Sequence, residues 1–148
     1  MNEKKEKKVR IGCASAFWGD TTTAAKQLVN KGNLNYLVFD FLAEVTMSIL
    51  ARAKTKDPLM GYAGDFVEQI TPLLSEVKKK DIKIISNAGG LNPESCRKAI
   101  QVELDKINLN LKIAIVTGDD IAHKKEEINK LNISEICLLY TSPSPGDH

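Results

Sequence analysis

The sequence predicts an α/β fold with a mainly parallel, Rossmann-like sheet and helices on both faces. Apolar, β-branched runs of strand length alternate with longer segments whose apolar residues recur at helical spacing, from residue 9 to about Ile136. Each apolar run ends in small or polar residues, as strands do where they enter the loops of an open sheet. The start of a (β/α) barrel is the alternative, because both folds begin with the same strand–helix–strand units.

Four strands are predicted in this alternation. They lie at residues 9–15, 35–42, 82–90 and 111–120, which read VRIGCAS, NYLVFDFL, IKIISNAGG and LKIAIVTGDD. The second strand is apolar at Leu37, Val38 and Phe39 in succession, so we expect both of its faces to be covered. Right-handed crossovers between parallel strands then bring all four carboxyl-terminal ends to one edge of the sheet.

Capping residues set the ends of the first two helices. The helix in TTTAAKQLVNKG takes its N-cap from Asp20 or from one of Thr21 to Thr23, and it ends at Gly32. The next helix, AEVTMSILARAK, ends where Asp57 precedes Pro58, because the residue before a proline avoids the helical conformation.

Two further helices precede and follow the third strand, and a short one follows the fourth. The segment GYAGDFVEQITPLLSEVKKK carries an apolar stripe at Phe66, Ile70, Leu73, Leu74 and Val77. Pro72 lies inside this segment, so we expect a kink or a break there. The helix after the third strand begins with Asn92 as N-cap and Pro93 at its first position. AHKKEEINKLN predicts the last helix.

Composition excludes several classes of protein. The first ten residues carry a net charge of +3 and the remainder −1, so no basic nucleic-acid surface is predicted, and residues 1–8 are expected to be a flexible basic terminus. No apolar run approaches the length of a membrane span. The three cysteines are far apart, and Cys13 and Cys96 are interpreted as small buried apolar residues, so we expect a cytoplasmic protein without disulfides.

Polar and small residues collect at the predicted strand ends, where open α/β sheets bind ligands. The candidate ligand-binding residues are Gly12, Ser15, Gly19, Asp20, Asp40, Glu44, Asn87, Gly89, Gly90, Asn92, Asp119 and Asp120. No nucleotide-binding fingerprint is present, no metal site is predicted, and the sequence singles out neither a catalytic residue nor a cofactor.

Each strand end also has a structural interpretation. The loop from Gly12 to Asp20 is either a tight turn or an anion cradle. The segment NAGGLNP either connects and caps, or presents backbone amides to a ligand. Asp119 and Asp120 either favour the amino end of the next helix, or serve as a hydroxyl acceptor, a general base or part of a Mg²⁺ site. We expect one to cap the helix and the other to face the ligand.

The ordered motifs RIGCASAFWGD, YLVFDFLAEVTMSI, DPLMGYAGDF, SNAGGLNP and AIVTGDD resemble the amino-terminal region of the acyclic terpene utilisation family. The resemblance implies a role beside acyl-CoA enzymes that degrade citronellol- and geraniol-type isoprenoids, and it supplies no catalytic residue. It implies a small-molecule or acyl-CoA-type ligand at the strand ends. The alternative is a non-catalytic binding or assembly module for those enzymes. No oligomeric state is implied.

The last twelve residues, CLLYTSPSPGDH, differ in character from the preceding α/β pattern. They resemble a translated sequencing adapter that reads CLLYTSPSPRD, with which ten of the eleven residues from Cys137 to Asp147 agree. We therefore expect residues 9–136 to be the amino-terminal part of a longer α/β domain, and residues 137–148 to be a non-native tail. The missing carboxyl-terminal part of the chain is then a partner of this one.

Overall fold

Three of the predicted strands form and pair in parallel. The computed structural model describes residues 8–131 and residue 133. Its strands are β1 (Ile11–Ser15), β2 (Tyr36–Phe39) and β3 (Lys83–Ser86). Its helices are α1 (Ala24–Lys31), α2 (Glu44–Lys56), α3 (Gly64–Ile70), α4 (Leu74–Lys79), α5 (Pro93–Lys106) and α6 (Lys125–Lys130). Contacts divide the chain into two units, up to Val116 and from Thr117 onward; β1–β3 and α1–α5 belong to the first.

The sheet has the order β1-β2-β3, with β2 paired in parallel to both neighbours. Val38 lies opposite Cys13 on one side and opposite Ile85 on the other. A bulge between Cys13 and Ser15 turns both Ala14 and Ser15 into the protein. The α/β class and the parallel, Rossmann-like sheet are confirmed, and this strand order is shared by both architectures that the sequence allowed.

The predicted helix boundaries are confirmed where local chemistry sets them. Thr23 is the N-cap residue of α1 and Gly32 its C-cap residue. Asp57 ends α2, and the side chain of Asn92 caps α5 by accepting a hydrogen bond from the Ser95 amide. Pro72 breaks its helical segment as expected, since a single 3₁₀ turn separates α3 from α4.

One hydrophobic core lies between the sheet and α1, α3, α4 and α5. The predicted stripe on α3 and α4 is buried in it. At its centre Phe66 meets Phe39 and Phe41 edge-on, with ring centroids 5.1 Å and 6.1 Å apart. Removing such a buried ring costs about 3–5 kcal/mol. The aromatic cluster therefore joins the end of β2 firmly to the helical layer.

The opposite face of the sheet is open in the described part of the chain. Alternate residues of a strand point to opposite faces, and Leu37 and Phe39 are buried while Ile11 is 65% and Ile85 54% exposed. In the first unit, α1, α3, α4 and α5 pack around the core on the buried face, and none of these four helices covers the exposed face. Cys13 lies on this face and is exposed, which corrects its interpretation as a buried residue.

The predicted fourth strand is wrong, because residues 111–120 contain no strand. Leu111 and Ile113 pack against the core and alternate with exposed residues, which is the strand period seen in the sequence. A strand also needs a backbone partner, however, and this segment pairs with none of β1–β3. Val116 is 92% exposed.

Among the described residues, none of the helices has both the length and the apolar composition that a membrane span requires.

Candidate functional site

The carboxyl-terminal ends of β1 and β2 are joined at one edge of the sheet by Ser15 and Asp40. The amide of Asp40 donates to the carbonyl of Ser15 at 3.2 Å, and the Ser15 hydroxyl donates to the carbonyl of Asp40 at 3.3 Å. Ser15 is buried while Asp40 is exposed. Ser15 thus holds the backbone from which the Asp40 carboxylate projects.

Asn87, directly after β3, completes this edge because its side chain makes two hydrogen bonds to the residues that follow β2. Its amide nitrogen donates to Asp40 Oδ1 at 2.7 Å, and its amide oxygen accepts from the backbone N–H of Phe41 at 2.8 Å. The Phe41 ring is fully buried in the aromatic cluster. The carboxylate is therefore held at one oxygen, while Asp40 Oδ2 has no partner among the described residues.

The first loop adopts the tight turn that was one of its two interpretations. The amide of Asp20 donates to the carbonyl of Phe17 at 3.3 Å, and Gly19 has a φ of 90°, which a type II turn requires at its third residue. The Asp20 carboxylate accepts from the amide of Ala16 at 2.9 Å. Asp20 thus closes the turn and keeps an acidic side chain beside the strand ends.

The segment Asn87–Asn92 is fastened to the loop before α3. Four of its amides are used inside these loops, where Ala88, Gly90, Leu91 and Asn92 donate to Ser86 Oγ, Asn87 O, Gly61 O and Gly89 O. The Asn92 amide group also donates to the carbonyls of Pro58 and Met60, at 2.8 Å each. Connecting and capping, one of the two interpretations of this segment, accounts for these contacts.

Glycines allow the close approach of these loops. A Cβ on Gly90, whose φ is 51°, would lie 2.6 Å from Leu50 Cδ1 and 2.8 Å from the Gly61 carbonyl oxygen. A Cβ on Gly89 would lie 2.9 Å from the ring of Pro93. Lys54 of α2 fastens the same place, since its ammonium donates to the Leu91 carbonyl at 2.6 Å.

Four other predicted site residues lie elsewhere or are only partly described. Gly12 is inside β1 and packs against Leu28 and Leu34 on the helical side of the sheet. Glu44 is the first residue of α2, and its side chain lies outside the described residues. Asp119 and Asp120 follow the segment that forms no strand and belong to the second unit, so their place at this edge stays a prediction.

The N-cap position of α6 is not occupied by an aspartate. Its N-cap residue is Lys124, whose own side chain makes no capping hydrogen bond. A 3₁₀ turn from Ala122 to Lys124 lies between the two aspartates and α6.

Burial controls the ionisation of two groups on the helical side. It raises the pKa of the Cys96 thiol to about 11, so this cysteine is protonated at neutral pH and is a poor nucleophile. Burial, and to a smaller extent the nearby Cys96, raises the pKa of the Tyr62 hydroxyl. Both residues therefore behave as packing residues, as the sequence predicts for Cys96.

The described residues contain no group of three or more His, Cys, Asp or Glu side chains close enough to hold a metal ion. A surface cavity of about 310 Å³ lies away from the strand ends, lined by Gln101, Asp105, Asn108, Leu109 and Asn110. These residues belong to the end of α5 and the turn after it. The chemistry of the strand-end edge thus comes from Asp40, Asn87 and Asp20, which are exposed to solvent.

Sequence reasoning missed the part played by Phe41. Its ring lies in the core and its amide binds Asn87, so it fixes the direction in which the chain leaves β2. The available signal was the alternation of Leu37, Phe39 and Phe41 in the sequence, which predicts one shared buried face.

The fold and this edge define a parallel α/β protein with polar side chains gathered at the strand ends. A family model described as "Acyclic terpene utilisation family protein AtuA" matches residues 9–140. The chain belongs to the acyclic terpene utilisation family, which confirms the resemblance seen in its motifs and gives it a role in acyclic terpene utilisation. No curated protein matches the chain, and no solved structure does.

Proposed function

We propose that this protein binds an acyl or acyl-CoA-type intermediate of acyclic terpene breakdown at the carboxyl-terminal edge of its sheet. The single observation that carries the proposal is the Asp40–Asn87 pair, which joins two adjacent strand ends and leaves one carboxylate oxygen exposed. Ligands of open α/β sheets bind at this edge. The family supplies the class of compound.

Asp40 and Asn87 can interact with the polar end of such a ligand in two ways. Asp40 Oδ2 can accept a hydrogen bond from a hydroxyl or take a proton from an acidic carbon or water. The second amide hydrogen of Asn87 can donate to a carbonyl oxygen. Because Asp20 and Asp40 are both acidic, the edge disfavours the phosphates of coenzyme A and favours the acyl end of the ligand.

The test compares two matched Asp→Asn variants in titrations with the coenzyme A thioester of citronellic acid. Asp40→Asn keeps an oxygen that can accept from Asn87 and removes the charge. We expect binding to weaken about tenfold or more, since a hydrogen bond to a charged group contributes about 1.5–3 kcal/mol.

Asp105→Asn is the control, because the Asp105 carboxylate also accepts from a neutral side-chain amide, that of Gln101, at 2.8 Å. It lies beside the cavity at the end of α5, so binding should stay unchanged. Equal affinities of both variants and the unmodified chain would refute the proposed site.

A non-catalytic assembly module is the second candidate function. It is favoured by exposed apolar residues on α2, where Val45 and Ile49 lie one helical turn apart. If this function holds, Ile49→Lys should abolish co-elution with a purified acyl-CoA carboxylase or dehydrogenase of the pathway. Asp40→Asn should leave co-elution intact.

A further inference from the structure

The open face of the sheet is built of three rows of side chains that run across the strands. The row at the amino-terminal end is Ile11, Tyr36 and Lys83, and the middle row is Cys13, Val38 and Ile85. The third row is formed by the residues directly after β2 and β3, Asp40 and Asn87, which are hydrogen bonded to each other. The face is therefore apolar in the middle and ends in the polar pair of the proposed site.

The ends of this face differ in chemistry. Lys83 lies over the Tyr36 ring, with its nitrogen 5.7 Å from the ring centroid. The row at the amino-terminal end therefore combines a cation with an aromatic surface. The middle row contains no charged residue, and Ile85 is 54% exposed. A molecule that lies along the strands with a polar head at Asp40 would place a hydrocarbon chain on the middle row.

The size of the face fits a small molecule better than a protein. Three strands about 4.8 Å apart, with rows about 6.6 Å apart, make a surface of roughly 14 by 14 Å, or about 200 Å². A stable protein interface buries about 800 Å² on each partner. The face provides about a quarter of that area, which argues against a second copy of this chain as its occupant.

We infer that the open face binds the branched hydrocarbon chain of the ligand, across Cys13, Val38 and Ile85, while its polar end meets Asp40 and Asn87. This inference rests on the proposed function and adds the place and direction of the ligand. The apolar middle row matches an acyclic terpene skeleton, the class of compound named by the family. A hydrocarbon chain placed on this row would remove the apolar side chains of Val38 and Ile85 from water, which favours binding.

The test uses citronellol as the probe and isoleucine residues labelled at their δ-methyl groups in the intact chain. The methyl signals of Ile11 and Ile85 should shift on titration. Ile49 and Ile107 serve as internal controls, because they are about half exposed at other places on the first unit, and their signals should not move. Equal shifts at all four residues, or none at Ile11 and Ile85, would overturn the inference.

A second measurement uses isosteric changes. Val38→Thr should weaken citronellol binding about threefold to tenfold, because the new hydroxyl must be desolvated under the hydrocarbon. Val102→Thr, on the exposed side of α5, should have no effect. If Ile11 and Ile85 respond to protein concentration without the probe, a second copy occupies the face and the inference is wrong.

The two proposals fail in distinguishable ways. Asp40→Asn without effect, together with shifts at Ile11 and Ile85, would remove the polar site and keep the hydrocarbon site. Weaker binding by Asp40→Asn without those shifts would keep the polar site and remove the hydrocarbon site.

Discussion

Gly90 offers a quantitative test of how the two loops behind the strand ends fit together. A methyl group there would meet Leu50 Cδ1 at 2.6 Å and the Gly61 carbonyl oxygen at 2.8 Å, and the backbone has a φ of 51°. The backbone conformation costs an alanine about 1 kcal/mol. Overpacking adds about 1–3 kcal/mol. We therefore expect Gly90→Ala to lower the free energy of unfolding by about 3 kcal/mol.

Gly19→Ala is the matched control for this prediction. Gly19 also has a positive φ, of 90°, but a Cβ there would meet nothing within 4 Å. Its cost should be the backbone term alone, about 1 kcal/mol, as taken for Gly90. Urea unfolding followed by far-UV circular dichroism gives both values, provided that the slopes agree. Equal midpoints for the two variants would refute the close packing of Gly90 against α2 and the loop before α3.

Three further outcomes are expected. Asn92→Ala should lower the free energy of unfolding by about 2 kcal/mol, because it removes the cap of α5 and the two hydrogen bonds to the carbonyls of Pro58 and Met60. Asn92→Ser restores only the cap, so it should recover about 1 kcal/mol in the same urea titration. The pKa of the Cys96 thiol rises from 9.0 to about 11 on folding, so the thiol ionises at lower pH in the unfolded chain than in the folded one. The free energy of unfolding should therefore fall as the pH rises from 9 to about 11. A Cys96→Ala variant whose free energy of unfolding falls equally steeply over this range would contradict the prediction. A thiol reagent at neutral pH should modify Cys13 quickly and Cys96 slowly, as located by peptide mass spectrometry, and the reverse order would disprove the assigned exposures.

Local chemistry explains which parts of the fold could be predicted from the sequence. Pro72 breaks its helix and Asn92 caps the next because each acts on backbone groups within a few residues. The period of the apolar residues likewise identified the core faces of α3 and α4. These features need no knowledge of distant residues, and they are correct in the structure.

The sequence-based predictions were wrong or incomplete where a residue's partner is distant along the chain. The segment 111–120 has the alternation of a strand, but strand formation depends on a neighbour that periodicity cannot identify. The grip of Asn87 on Asp40 and Phe41 crosses 47 and 46 residues, and no spacing in the sequence indicates it. The strand-end edge could thus be located from the sequence, but its hydrogen bonds could not.

Because Asn87 makes two hydrogen bonds to the end of β2, positions 40 and 87 should differ in the substitutions that they tolerate. Asp40 gives one side-chain oxygen to the grip and is exposed, so its chemistry can be altered at little cost to the backbone. Asn87 must donate to one group and accept from another, a combination that neither aspartate nor leucine provides. A saturation library selected for folding should therefore accept many residues at position 40 and few at position 87. Substitutions at position 40 would then change the chemistry of this edge while Asn87 keeps the ends of β2 and β3 joined.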